Sequence, residues 1–323
     1  MRRRDFVKGV VGSAAAWPLA ARTQQYPKIF QIGFLYPGAE SGVAPRVAAA
    51  LSGLKAAGLR EEQIAFVPRS TGGDPSKLAA MASDLVGRKV DLILVESPPA
   101  ARILQAATTT IPIVTGDLES DPVADGFVAS VAHPGGNMTG VFLDFPEFAK
   151  KWLEFLKEAL PQVTKVAVLW DPTTFKRQLN AVKSAAEELG ITLEILELRD
   201  TANAEAAISA ANERGANAVL ILPTPIVGSH TKLLADLALA HHLPAITLFT
   251  DFARDGGLMA YGPNLLAFIR QQGVMAGKIL QGATDLPVEA PTKFEFVLNL
   301  RTAKALNVAI PASILLRADD VIE

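Results

Sequence analysis

From residue 28 to about residue 250 the chain passes twice through the same order of short apolar runs and longer amphipathic ones, and few folds accommodate that. The first round reads IFQIGFLY (Ile29–Tyr36) as a strand, Ala44–Ala57 as a helix ended by Gly58, and Ile64–Pro68 as a strand. It continues with a helix over Pro75–Arg88, the strand VDLILVE (Val90–Glu96), a helix over Pro98–Thr109 and the strand IPIVTG (Ile111–Gly116). Strands that are apolar throughout, set between amphipathic helices, belong to a parallel sheet covered on both faces.

After a helix over Pro146–Leu160 the rhythm restarts. Strands are expected at Lys165–Asp171, Ile191–Leu198, Ala216–Pro223 and Leu243–Phe249, with helices over Phe175–Leu189, Ala202–Arg214 and Thr231–His241. Two α/β lobes with right-handed crossovers follow from this repetition. HPGGNMTGVFLD (His133–Asp144) is rich in Gly and polar residues and is expected to act as a hinge, with a second crossing at GGLMAYGPN (Gly256–Asn264). A long helix, Leu265–Leu280, and a strand–helix tail then return the chain to lobes already built. The expected division is 24–140 with 265–290 for the N-terminal lobe, and 141–264 with 291–323 for the C-terminal lobe.

The first 23 residues read as an address. Arg3-Arg4-Asp5-Phe6-Val7-Lys8 precedes a Gly- and Ala-rich apolar run, Gly9–Ala21, too short to span a bilayer. A basic segment, a modest apolar segment and small residues mark an export signal, here of twin-arginine type. An amphipathic first helix is the alternative. Formal net charge is −2; residues 1–23 carry +4, so their removal leaves −6. A mildly acidic protein without basic runs is unsuited to nucleic acid or anionic lipid. With no cysteine in 323 residues there is no lipid-anchor site, thiolate metal site or cysteine nucleophile. A soluble periplasmic protein is expected.

The chemistry motifs are mostly absent. YPGAESGVAP, the first strand-to-helix turn, lacks G-x-G-x-x-G, and neither a P-loop nor G-x-S-x-G occurs. His133, His230, His241 and His242 lack metal-binding spacing, so no metal or other cofactor is expected. What remains are polar and aromatic residues at carboxyl ends of strands, where open α/β sheets bind ligands. On the first lobe these are Tyr36, Ser41, Glu96, Ser97, Thr115, Gly116 and Asp117. On the second they are Trp170, Asp171, Thr173, Thr224, Phe249 and Asp251. Ser41, Ser97 and Thr173 read equally well as helix caps, and Tyr36, Trp170 and Phe249 as core or as stacking surface for an aromatic ring.

Five stretches occur together and in order: the leader, ATTTIPIV (Ala107–Val114), HPGGNMTGV (His133–Val141), DGGLMAYG (Asp255–Gly262) and PTKFEFVLNLRTAKAL (Pro291–Leu306). With them the chain resembles, end to end, the substrate-binding proteins of ABC importers, in the group that includes tryptophan- and tyrosine-uptake proteins. The resemblance implies a type I periplasmic binding fold: two Rossmann-like lobes joined by a three-crossing hinge, closing on a small-molecule ligand and presenting it to an inner-membrane permease. It also implies that Ser97 and the Thr115–Asp117 turn face the carboxylate of an amino acid, and Asp251 or Asp171 its ammonium. Glu96 departs from the Gly- and Thr-rich turn of the family and opposes an anionic group there unless Arg46 or Arg102 neutralises it. An amino acid or small aromatic compound is the expected ligand, a neutral, hydroxylated or cationic one remains open, and a monomer suffices. The rival function is an exported enzyme using Glu96, Asp117, Asp171 or Asp251 for acid–base work in the same cleft.

Overall fold

The computed structural model describes residues 28–323 apart from 144, 173 and 175. The expected leader and the candidate Thr173 lie outside the described residues.

The first sheet holds β1 (Phe30–Tyr36), β2 (Ile64–Ser70), β3 (Leu92–Glu96), β4 (Ile113–Asp117) and β5 (Met138–Phe142). Their order is β2-β1-β3-β4-β5 and every pair is parallel. Helices α1 (Val43–Ala56), α2 (Leu78–Gly87) and α3 (Pro98–Ala107) connect them. Along β3, Ile93 and Val95 join one apolar layer while Leu92 and Leu94 join the layer on the opposite face. This two-residue alternation, apolar on both sides, is why the strand reads as an uninterrupted apolar run.

Helix α4 (Phe145–Ala159) leads into β6 (Lys165–Trp170), α5 (Lys176–Leu189), β7 (Thr192–Glu197), α6 (Ala204–Glu213) and β8 (Ala218–Ile221). Then come α7 (Pro225–Ser229), α8 (Thr231–Ala240), β9 (Ala245–Thr247), α9 (Thr250–Arg254) and β10 (Met259–Pro263). The order β7-β6-β8-β9-β10 repeats that of the first sheet, again parallel. After α10 (Leu265–Leu280), strand β11 (Phe294–Asn299) adds antiparallel to β10. Two short helices, α11 (Leu300–Ala305) and α12 (Ala312–Leu315), precede β12 (Asp320–Ile322) at the sheet edge. Trp152 of α4 is fully buried under this sheet, its indole N–H donating to the Tyr261 carbonyl at 2.7 Å.

Helix α10 belongs to the first sheet's covering layer, because small residues let it cross α1 at backbone contact. A Cβ on Gly53 would stand 2.0 Å from the Arg270 carbonyl oxygen, and one on Gly273 2.2 Å from that of Ala50. The chain therefore passes between the sheets after β5, after β10 and after α10.

Two stretches expected as hinges each contain a five-residue strand. His133–Asp144 contains β5, and Gly256–Asn264 contains β10, so the first sheet runs through Phe142 rather than stopping at 140. The glycine that suggested flexibility does the opposite. A Cβ on Gly140 would meet the Thr115 carbonyl oxygen at 2.0 Å, so this glycine permits close pairing of β5 with β4. The return segment also runs along β5, with Phe142 N–H donating to the Glu289 carbonyl and Glu289 N–H to that of Gly140.

Candidate functional site

In the order β2-β1-β3, chains leave β1 and β3 toward opposite sides, and the strand ends at that switch leave a crevice. Tyr36 ends β1 and Glu96 ends β3, so both stand there. Arg46 of α1 joins them. Its Nε donates to Glu96 Oε2 at 3.2 Å, its Nη1 donates to the Gly42 carbonyl at 3.1 Å, and its guanidinium lies 4.3 Å from the Tyr36 ring centroid. The ion pair is mostly buried, with side chains 19% and 16% exposed. Burial raises the Glu96 carboxyl above the ordinary range, with Arg46 pulling the other way, and burial raises the Tyr36 hydroxyl likewise.

Gly38 and Gly42, which fall short of a dinucleotide turn, have a steric role here. A Cβ on Gly38 would lie 2.4 Å from the Tyr36 hydroxyl, and one on Gly42 2.8 Å from Arg46 Nη1. The glycines make room for the ring and the guanidinium.

The turn after β3 is held in an unusual shape. Ser97 has φ +97°, a region that favours glycine, and its N–H donates to the Gly116 carbonyl at 3.2 Å. Such a backbone costs on the order of 1–3 kcal/mol and recurs at ligand sites. Ser97 Oγ and Glu96 Oε1 are both buried without a hydrogen-bond partner. Buried polar atoms are nearly always paired, so two orphans side by side in a cleft point to a ligand or water.

At the end of β4, Asp117 Oδ1 accepts the N–H groups of Glu119 (2.8 Å) and Ser120 (2.9 Å). This local turn delivers Leu118 and Glu119 to the cleft. Burial pushes the Asp117 carboxyl up to about 6, against the pull of those N–H groups. Glu119 is raised well above the ordinary range by burial, then by Asp117 and by Asp171 of the opposite lobe.

The second lobe faces this wall with Gly228 and Ser229 from α7, Phe249 before α9, and Asp251 at its start; Leu265 and Phe268 of α10 close the hinge side. A Cβ on Gly228 would come within 3.0 Å of the Phe249 ring, and one on Gly116 within 2.6 Å of Phe268. Together these residues line a cleft whose empty space is about 780 Å³ with open solvent included, of which about 110 Å³ admits the centre of a water-sized sphere. Asp251 stands at the mouth, 68% exposed, with Arg254 Nη1 at 3.5 Å.

Of the sequence candidates, Tyr36, Glu96, Ser97, Gly116, Phe249 and Asp251 converge on this cleft. The others stand elsewhere. Ser41 is exposed in the turn before α1, Thr115 is sealed inside β4, and Trp170 packs into the second lobe's core. Asp117 builds its own turn, Thr224 Oγ1 caps α7 by accepting the Val227 N–H at 3.2 Å, and Asp171 is buried at the end of β6. Strand-end reasoning missed Glu119 by two residues. Nothing local marked Leu265 and Phe268, which reach the cleft only because α10 folds back. Among the described residues, no group of three or more His, Cys, Asp or Glu side chains is placed to hold a metal ion.

The family model described as ABC transporter substrate binding protein matches residues 40–322. The chain belongs to that family. A tyrosine-binding protein of Clostridioides difficile is 28% identical over 234 residues, 71% of this chain and 66% of that one, so the match spans just under two thirds of the relative. Among solved structures, an ABC domain from Streptococcus pneumonia in complex with L-Trp is 25% identical with a TM-score of 0.84. A conserved domain protein from Vibrio cholerae has the same identity and score; each match covers 91% of this chain and all of the other. These relatives carry the two-lobed periplasmic binding fold. The family is one of transport binding proteins rather than enzymes, which sets aside the hydrolytic role for the cleft carboxylates.

Proposed function

We propose that this substrate-binding protein captures a small aromatic compound with a polar head group and delivers it to an ABC importer in the inner membrane. The observation that carries this is the pairing of walls. Tyr36 from one lobe, Phe249 from the other and Phe268 of α10 line a common cleft, with Arg46 and Glu96 paired beside Tyr36. A flat ring fits such a slot by stacking and area burial. The relatives named for tyrosine and solved with L-Trp support the same class.

Closure follows from the crossings. A ligand held by one lobe favours the closed form only through contacts it gains from the second. Micromolar affinity corresponds to about −8 kcal/mol, which a desolvated slot of this kind can supply. A periplasmic setting is part of the proposal and is supported by the twin-arginine-like leader; among the described residues no helix is long and apolar enough to cross a membrane. Each lobe supplies one wall of a single cleft, so a monomer suffices. Calorimetric titration of ligand-stripped protein with aromatic amino acids, aromatic amines, sugars and aliphatic acids tests the proposal. Saturable binding confined to aromatic members supports it; binding confined to sugars or aliphatic acids refutes it.

A further inference from the structure

The polar end of the cleft specifies the ligand's head group. Resting on the aromatic reading above, we infer that the ligand presents a cationic amine, and no carboxylate, to the turn after β3, so that its class is an arylalkyl amine rather than an amino acid.

Three observations lead there. First, this end offers a buried acceptor. Glu96 Oε1 is buried without a partner while Oε2 accepts from Arg46; the Ser97 hydroxyl, also buried and unpartnered, can accept as well as donate. A carboxylate oxygen can only accept when ionised, so its complement is an N–H or ammonium donor.

Second, the donors that ordinarily hold a carboxylate at such a turn are missing. The first N–H groups of a helix have no partner within it and bind anions. Here the Ser97 N–H is taken by the Gly116 carbonyl, and Pro98 and Pro99 fill the first two positions of α3 without any N–H. The next residue, Ala100, is fully buried and outside the lining.

Third, the charges do not balance in favour of an anion. Among the described residues, the lining carries Glu96, Glu119 and Asp251 against a single cation, Arg46. Arg46 is already engaged by Glu96, the Gly42 carbonyl and the Tyr36 ring. Asp251 stands at the mouth beside Arg254, so at the turn itself the unpartnered Glu96 Oε1 meets a guanidinium already in use. A desolvated ammonium beside Glu96 Oε1 gains a charge-assisted bond, whereas a carboxylate there meets like charge at short range.

The test is calorimetry on the stripped protein with matched probes: tryptamine against L-tryptophan, tyramine against L-tyrosine, and indole-3-acetate as the acid without the amine. The expected result is an amine binding at least tenfold tighter than the amino acid with the same ring, and no binding of the acid. Glu96→Gln should weaken the amine tenfold or more. Ser97→Ala, which leaves the ion pair intact, should weaken it several-fold, and this keeps the test open if Glu96→Gln fails to fold. An amino acid binding tighter than its amine, or amine affinity unchanged in both variants, overturns the inference and leaves the aromatic reading standing. Failure of every aromatic probe overturns both.

Discussion

Arg177 of α5 and Asp121, in the turn after β4, meet across the lobes with Nη2 and Oδ2 2.6 Å apart. The side chains are 42% and 25% exposed, so this is a solvent-screened pair, worth ~0.2–1 kcal/mol. It lies outside the cleft lining and ties the two lobes together in this structure. Arg177→Met is therefore expected to weaken ligand binding about two- to fivefold, mainly by faster release. Asp121→Asn should do the same, and the double variant should be no worse than either single one. Stopped-flow release rates check this; additive losses would show that the residues act separately.

The raised carboxyl of Asp117 makes stability depend on pH in a stated direction. Its ordinary value is 3.8 and its folded value about 6. Below 3.8 both folded and unfolded chains hold the proton. Between 3.8 and 6 only the folded chain holds it, so stability falls as pH rises through this window and the full cost is present above 6. The shift amounts to ~3 kcal/mol at most. Exposed carboxyls held low by neighbours, such as Asp84 beside Arg88 and Arg69, act in the opposite sense. The comparison is therefore Asp117→Asn against the parent: urea unfolding at pH 5 and pH 7.5 should show the variant gaining stability relative to the parent at the higher pH. Equal differences at both pH values would remove Asp117 from the account.

Ser97 holds a glycine-like φ of +97° and an orphan hydroxyl in the same residue. Ser97→Gly should relieve the backbone and stabilise the free protein by about 1 kcal/mol, while weakening ligand binding several-fold through loss of the hydroxyl. Thermal unfolding and calorimetry, run on one preparation, separate the two effects. A variant unchanged in both would mean the strained turn is incidental.

The packing of α10 on α1 allows a sharper prediction. Gly273→Ala places a methyl 2.2 Å from the Ala50 carbonyl oxygen, where backbone rather than a flexible side chain must give way. A loss of about 2–3 kcal/mol is expected, measurable in urea. Because α10 carries Phe268 and Leu265 into the cleft, ligand affinity should fall with it. A stability change under 0.5 kcal/mol would mean that the helices separate at little cost.

Both lobes were legible in the sequence because parallel strands buried on two faces cannot hide: VDLILVE and ANAVLILP announce themselves by composition. The strand ends at the switch point also led to Tyr36, Glu96 and Phe249. Long-range placement was not legible. Gly140 looked like a hinge residue because sequence shows the missing side chain but not the Thr115 carbonyl that requires its absence. Trp170 read equally as core or as stacking surface, because a strand-end aromatic carries no mark of which way it turns; the fold puts it in the core. Arg46 and Arg102 were equal candidates to offset Glu96 in the sequence, and only the fold, with Arg46 Nε 3.2 Å from Glu96 Oε2, separates them.

The central claim is that an aromatic ligand closes the lobes over itself, and thermal unfolding of the stripped chain from residue 24 tests it most directly. At a ligand concentration about 100 times its dissociation constant, binding adds ~2.7 kcal/mol and should raise Tm by about 5 °C. The account predicts a saturable rise of this size with at least one aromatic amine or aromatic amino acid, and none with sugars. A flat response across all aromatic compounds, with a rise from a non-aromatic solute, would contradict it.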